Sequence, residues 1–107
     1  MQTTWVKDYE ISIQEAPDYH WYSYDSKNYD KVFHLTSAED FTRTILLTIK
    51  RAHQEKKVVL VVPYYTIVDH CALPAGNRLF LMLNDLLCLF NLESLDIDKQ
   101  QKLDTIG

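Results

Sequence analysis

Apolar and polar residues alternate near the start of the chain in a pattern that predicts β-strands. Over residues 9–14 the apolar positions are Tyr9, Ile11 and Ile13, the spacing of a strand with one buried face. Turn residues around Pro17 follow this strand. An N-terminal antiparallel three-stranded meander is therefore predicted, with a second strand over residues 19–24, a loop over residues 25–28 and a third strand over residues 29–36.

The next segment predicts a helix and then a central strand. Thr36 can cap a helix while Glu39 reaches back to the amide of the capping residue. The apolar residues that follow fall on about one third of a helix surface at roughly 100° per residue, and the helix is predicted to end near Glu55. The run Val-Val-Leu-Val-Val over residues 58–62 is typical of a strand covered on both faces.

A second apolar segment spans residues 79–90, in which only Asn84 and Asp85 are polar. It is rich in leucine and has no β-branched residue, which favours a helix. The alternative is a hairpin with strands over residues 78–83 and 86–91 around Asn84 and Asp85.

These elements predict one α+β domain over residues 1–107, in the order β-β-β-α-β-α. The first helix would connect the meander to the central apolar strand. A content of 47% hydrophobic residues is that of an ordered globular chain, and a chain of this length has room for one modest core.

Aromatic rings crowd the predicted hairpin at residues 19–33. Because side chains alternate along a strand, Trp21 must point away from Tyr22 and Tyr24 in any register. Either each face of the sheet is covered or one aromatic face binds a partner. The predicted partner-binding residues are Tyr19, Trp21, Tyr22, Tyr24, Asp25, Tyr29 and Asp30.

Charge along the chain favours a protein partner over nucleic acid. Residues 1–40 contain three Lys against eight Asp or Glu, a net charge of −5. Binding to a phosphate backbone depends mainly on Lys and Arg, and only residues 50–57 form a basic block. An acidic aromatic surface instead suits a basic groove on another protein.

The second apolar segment, taken as a helix, is apolar all round and must be buried all round. A small domain has difficulty enclosing such a helix, and a large exposed apolar patch usually marks an interface. A homodimer or a stable complex with a partner protein is therefore predicted, and the alternative is a helix fully enclosed by the domain. The predicted oligomer interface consists of Leu79, Phe80, Leu83, Leu86, Leu87 and Phe90.

Reactive side chains occur together only at Asp69, His70 and Cys71. A Cys nucleophile needs a base within hydrogen-bond reach, and adjacent residues of an extended chain point to opposite faces. A buried, unreactive thiol is the expectation, so no catalytic residue is predicted. No metal is predicted because no ligand spacing typical of zinc occurs. No cofactor is predicted because Gly76 and Gly107 cannot form a phosphate-binding loop.

The sequence thus predicts a small non-catalytic protein-binding regulator or inhibitor that forms a homodimer. A cytoplasmic location is expected, because the start lacks a secretory pattern and no apolar run reaches about 20 residues. One alternative is a small-ligand or nucleotide pocket enclosed by Tyr22, Tyr24 and His70, with Asp69 and Cys71 at its mouth. A Cys-dependent enzyme is the third hypothesis.

Overall fold

The computed structural model describes residues 2–15, 29–36, 42–64, 66–72, 76–84 and 86–102. The chain divides into two compact units, residues 1–65 and residues 66–107. Each unit holds one β-sheet, and no helix occurs in the described residues. The predicted α+β class with two helices is therefore wrong, since the described fold is all-β. A single domain over residues 1–107 stays a prediction.

Within the described residues, the N-terminal sheet has five strands in the order β1-β2-β4-β5-β3. All neighbouring strands are antiparallel except β3 and β5, which are parallel. The strands are β1 Gln2–Val6, β2 Tyr9–Glu15, β3 Lys31–His34, β4 Thr42–Arg51 and β5 Gln54–Pro63.

The described part of the C-terminal sheet is an antiparallel meander of four strands in the order β6-β7-β8-β9. The ladder between β8 and β9 has one irregularity, between Leu89 and Phe90. The strands are β6 Val68–Ala72, β7 Arg78–Leu83, β8 Leu86–Asn91 and β9 Ile97–Lys102.

Two strand predictions are confirmed. Strand β2 begins at Tyr9, and its three predicted apolar residues are each at most 7% exposed. The run at residues 58–62 lies in β5, between β4 and β3, and every member is at most 2% exposed. Both patterns identified burial correctly, by alternation in β2 and by a continuous β-branched run in β5.

The predicted first helix is wrong, because its described residues 42–55 lie in the β4–β5 hairpin. Five of the ten residues of β4 are β-branched, which disfavours a helix and suits a pleated sheet. Ile45, Leu47 and Ile49 alternate and are each at most 3% exposed. Strand β4 is also hydrogen-bonded to β2 on one side and to β5 on the other, and this pairing favours a strand over a helix.

The predicted second helix is also wrong, and the hairpin alternative has the observed bounds. Strands β7 and β8 flank a two-residue turn, with Leu83 opposite Leu86. Asn84 has a φ of 57°, a conformation that Asn tolerates and that tight hairpin turns require. The helix preference of leucine is worth only tenths of a kcal/mol per residue, so pairing with β6 and β9 outweighs it.

The predicted meander is wrong in its pairing. Strand β2 lies between β1 and β4, so neither edge of β2 is open to a following strand. Part of the predicted third strand is observed as β3, which pairs with β5. The predicted second strand and loop, residues 19–28, lie outside the described residues.

Candidate protein-docking site

One face of the C-terminal sheet carries partly exposed apolar side chains and is here named the outer apolar face. Residues directly opposite each other in an antiparallel pair point to the same side of the sheet. The register places Phe80 opposite Leu89 and Met82 opposite Leu87. Phe80, Leu87 and Leu89 are half-buried, and Met82 is 40% exposed. The outer apolar face consists of Phe80, Met82, Leu87 and Leu89.

The opposite face of the same sheet forms part of the core. Its members alternate with those of the outer apolar face, as the pleat of a strand requires. All are at most 5% exposed, namely Leu79, Leu81, Leu83, Cys88 and Phe90. Strands β7 and β8 therefore carry apolar residues on both faces, but only one of these faces is fully buried.

A shallow depression of about 170 Å³ lies on the C-terminal sheet, lined by Asp69, His70, Phe80, Met82 and Leu87. Sites for small ligands usually enclose about 300–1,000 Å³ and bury most of the ligand. The depression is smaller than that and opens along the sheet. Its size suits a single apolar side chain from another protein.

Charged residues border the outer apolar face on both edge strands. Asp69 on β6 lies opposite Met82, and Lys99 on β9 lies opposite Leu89. Both side chains are exposed, and neither has an ion-pair partner within the described ranges. The face thus has a carboxylate at one edge and an ammonium group at the other.

A polar cluster closes one end of the face. Arg78 lies opposite Asn91, and its Nε atom is 2.8 Å from Oδ2 of Asp98. The Asn91 side-chain amide donates to the same carboxylate oxygen at 3.2 Å. Asp98 and Arg78 neutralise each other, which leaves Asp69 and Lys99 as the charges without an ion pair on this side of the sheet among the described residues.

The turn between β7 and β8 fixes the start of β6. The amide of Asn84 donates to the carbonyl of Ile67 at 3.2 Å, and the Asn84 side-chain carbonyl accepts from the amide of Ile67 at 2.9 Å. Ile67 is 73% exposed. These two hydrogen bonds hold the start of β6, and with it Asp69, beside the depression.

Within the Asp69-His70-Cys71 group, the structure describes the side chains of Asp69 and His70. Oδ1 of Asp69 accepts from the backbone amide of His70 at 2.8 Å and not from its ring. Nδ1 of His70 is buried and has no hydrogen-bond partner among the described residues. Cys71 is described only through its backbone, which pairs with Phe80.

The other cysteine, Cys88, is buried and free. Burial raises the pKa of the Cys88 thiol, because a thiolate is poorly solvated there. A thiol with a raised pKa is a poor nucleophile near neutral pH, so Cys88 is a core residue.

Most of the predicted partner-binding residues, Tyr19, Trp21, Tyr22, Tyr24 and Asp25, lie outside the described residues. Tyr29 is half-buried. Asp30 is exposed and bonds the backbone of Lys57 twice, donating its amide at 2.9 Å and accepting through Oδ2 at 2.8 Å. Asp30 therefore extends the β3–β5 pairing, and the role of the aromatic segment stays a prediction.

The predicted dimer residues separate onto the two faces of the C-terminal sheet. Phe80 and Leu87 belong to the outer apolar face, whereas Leu79, Leu83 and Phe90 are buried on the other. Leu86 lies opposite Leu83 and is half-buried. The prediction missed Met82 and Leu89, which strict alternation within residues 78–83 and 86–91 would have identified.

The N-terminal sheet also carries an exposed aromatic residue. Trp5 on β1 is 59% exposed, and the register aligns it with Glu10, Lys50 and Glu55 across four strands. Two carboxylates and one ammonium group give this row no basic character, although Lys50 and Glu55 belong to the basic block. Trp5 provides a matched exposed position on the other sheet.

Neither a family model nor a curated protein nor a solved structure matches the chain. Among the described residues, no three His, Cys, Asp or Glu side chains come together as a metal site. The described part of the chain also contains no helix with the length and apolar character to cross a membrane.

Proposed function

We propose that this chain is a small non-catalytic protein-binding regulator or inhibitor that docks partners on the outer apolar face. The observation that carries this proposal is the exposure of apolar side chains on two adjacent central strands, Met82 above all. An antiparallel sheet that faces water on one side ordinarily carries polar residues there. A cytoplasmic location and the absence of a cofactor stay predictions.

The depression favours a protein side chain as its occupant over a free small molecule. Its volume of about 170 Å³ is roughly half the lower end of the usual range for ligand sites. An aromatic or aliphatic anchor from a partner would contact Phe80, Met82 and Leu87 together. Asp69 at the rim would meet a Lys or Arg beside that anchor.

The small-ligand alternative rests on the same depression, since His70 and Asp69 line it as that hypothesis requires. The other residues named for that pocket, Tyr22 and Tyr24, lie outside the described residues. The surface of a partner protein explains the open, apolar lining better than a small ligand does.

The experiment is a selection of random peptides displayed on phage against the purified chain, followed by affinity measurements on synthetic peptides. Met82→Glu removes the apolar centre of the face, and Trp5→Glu is the matched control on the other sheet. We expect the selected peptides to contain an apolar residue beside Lys or Arg. They should bind wild type and Trp5→Glu with equal affinity, and their affinity for Met82→Glu should be at least tenfold lower. Peptides that bind all three proteins alike, or a failure to enrich any peptide, would refute the docking site.

A further inference from the structure

The charges on the two edges of the outer apolar face are opposite in sign and lie on the same side of one sheet. Asp69 belongs to β6 and Lys99 to β9, with two strands between them. At about 4.8 Å per strand they are roughly 14 Å apart across the sheet, and they are offset by two residues, about 7 Å, along it. A surface of this kind can complement a copy of itself.

We infer that the outer apolar face binds a second copy of this chain about a two-fold axis parallel to the strands. This inference rests on the proposed docking site and names its occupant. Such an axis places β6 of one copy over β9 of the other. Asp69 of each copy then faces Lys99 of the other, and this contact occurs twice.

The reach of the side chains agrees with this arrangement. Two stacked sheets lie about 10 Å apart. With the offset of about 7 Å, the Cα atoms of Asp69 and the opposing Lys99 are separated by roughly 12 Å. An extended Lys and an Asp can bridge that separation.

The other aligned arrangement is disfavoured by the same charges. A two-fold axis perpendicular to the strands would place β6 over β6 and β9 over β9. Asp69 would then face Asp69, and Lys99 would face Lys99, each at a similar separation. Like charges opposed in this way penalise the wrong pairing.

The size of the face sets the strength of the complex. The whole side of the C-terminal sheet that carries this face, four strands of about five residues, has a projected area of roughly 300 Å² per copy, whereas stable complexes bury about 800 Å² per partner. The dimer is therefore weak and depends on concentration. Sedimentation equilibrium or light scattering over a dilution series is the matching assay.

The test uses Asp69→Lys, Lys99→Glu and the double variant of the full chain, with Met82→Glu and Trp5→Glu alongside. Exposed ion pairs formed twice by symmetry correspond to about a two- to thirty-fold change in dimer dissociation constant. We expect each single charge variant to weaken the dimer within that range, and the double variant to return to the wild-type value. Met82→Glu should be monomeric, and Trp5→Glu should dimerise like wild type.

Each other outcome has a definite meaning. A wild type that stays monomeric up to its solubility limit, or a dimer unaffected by Met82→Glu, overturns the inference. Single variants that match wild type, or a double variant that is not restored, overturn the two-fold arrangement. If the selected peptides still distinguish Met82→Glu in those cases, the docking site stands and only its occupant is wrong.

Discussion

Asn84 is predicted to stabilise the C-terminal sheet in two separable ways. It occupies the left-handed region with a φ of 57°, and its side-chain carbonyl accepts a 2.9 Å hydrogen bond from Ile67. A left-handed conformation costs an ordinary residue about 1–2 kcal/mol, and a hydrogen bond of this kind is worth about 1 kcal/mol. Asn84→Ala should therefore lower the free energy of unfolding by about 2 kcal/mol. Asn84→Gly, which loses only the hydrogen bond, should lower it by about 1 kcal/mol.

Urea unfolding followed by fluorescence and circular dichroism measures both values, and an unchanged slope would show that the substitutions change stability without changing the surface exposed on unfolding. Asn84→Asp retains an acceptor and tolerates the turn, so it should lie closest to wild type. Equal loss in the Ala and Gly variants would contradict the left-handed turn. An Asn84→Gly variant as stable as wild type would contradict a stabilising bond to Ile67.

Three further predictions concern the two faces of the C-terminal sheet, the β4–β5 turn and the pH dependence of unfolding. Leu81→Ala, at a fully buried position, should cost about 2–5 kcal/mol in urea unfolding, and the same change at half-buried Leu89 should cost clearly less; equal costs would contradict the assignment of faces. Ala52→Gly should raise the free energy of unfolding by about 1 kcal/mol, because Ala52 has a φ of 55° in the β4–β5 turn; any loss of stability would contradict that conformation. The hydrogen bond from Arg51 at 2.8 Å lowers the pKa of Asp8 below its ordinary 3.8, so its stabilisation is present above that value and is lost as the pH falls through the folded pKa. Asp8→Asn should therefore unfold with a weaker dependence on acid pH than wild type, and an unchanged acid profile would contradict the linkage.

How far the sequence predicts this fold depends on whether one face of each strand is polar. In β2 the residues between Tyr9, Ile11 and Ile13 are polar, so the period of two is visible and the strand was predicted correctly. In β4 the apolar residues fit both the period of a helix and the period of a strand. Ile45 and Ile49 belong both to a helical stripe and to the alternating set that includes Leu47. Pairing with β2, which is distant in sequence, decides between the two periods, and no local pattern reports it.

The second missed element has a different cause. Strands β7 and β8 alternate strictly between a buried and an outer face, but Phe80, Met82, Leu87 and Leu89 make the outer positions apolar as well. With both faces apolar, no period remains in the sequence, and a leucine-rich run then suggests a helix. The turn at Asn84 was the one local signal for the hairpin.

The residues that concealed the hairpin are the residues that define the candidate site. Polar side chains at those four positions would restore an ordinary half-buried sheet and remove an exposed apolar surface that favours aggregation. Each half-exposed side chain on this face leaves apolar area in water, and burial of that area would be worth about 25 cal/mol per Å². A partner that covers the face recovers that free energy. The apolar residues at these four outer positions made the sequence prediction wrong, and they are also the physical reason to expect binding at this face.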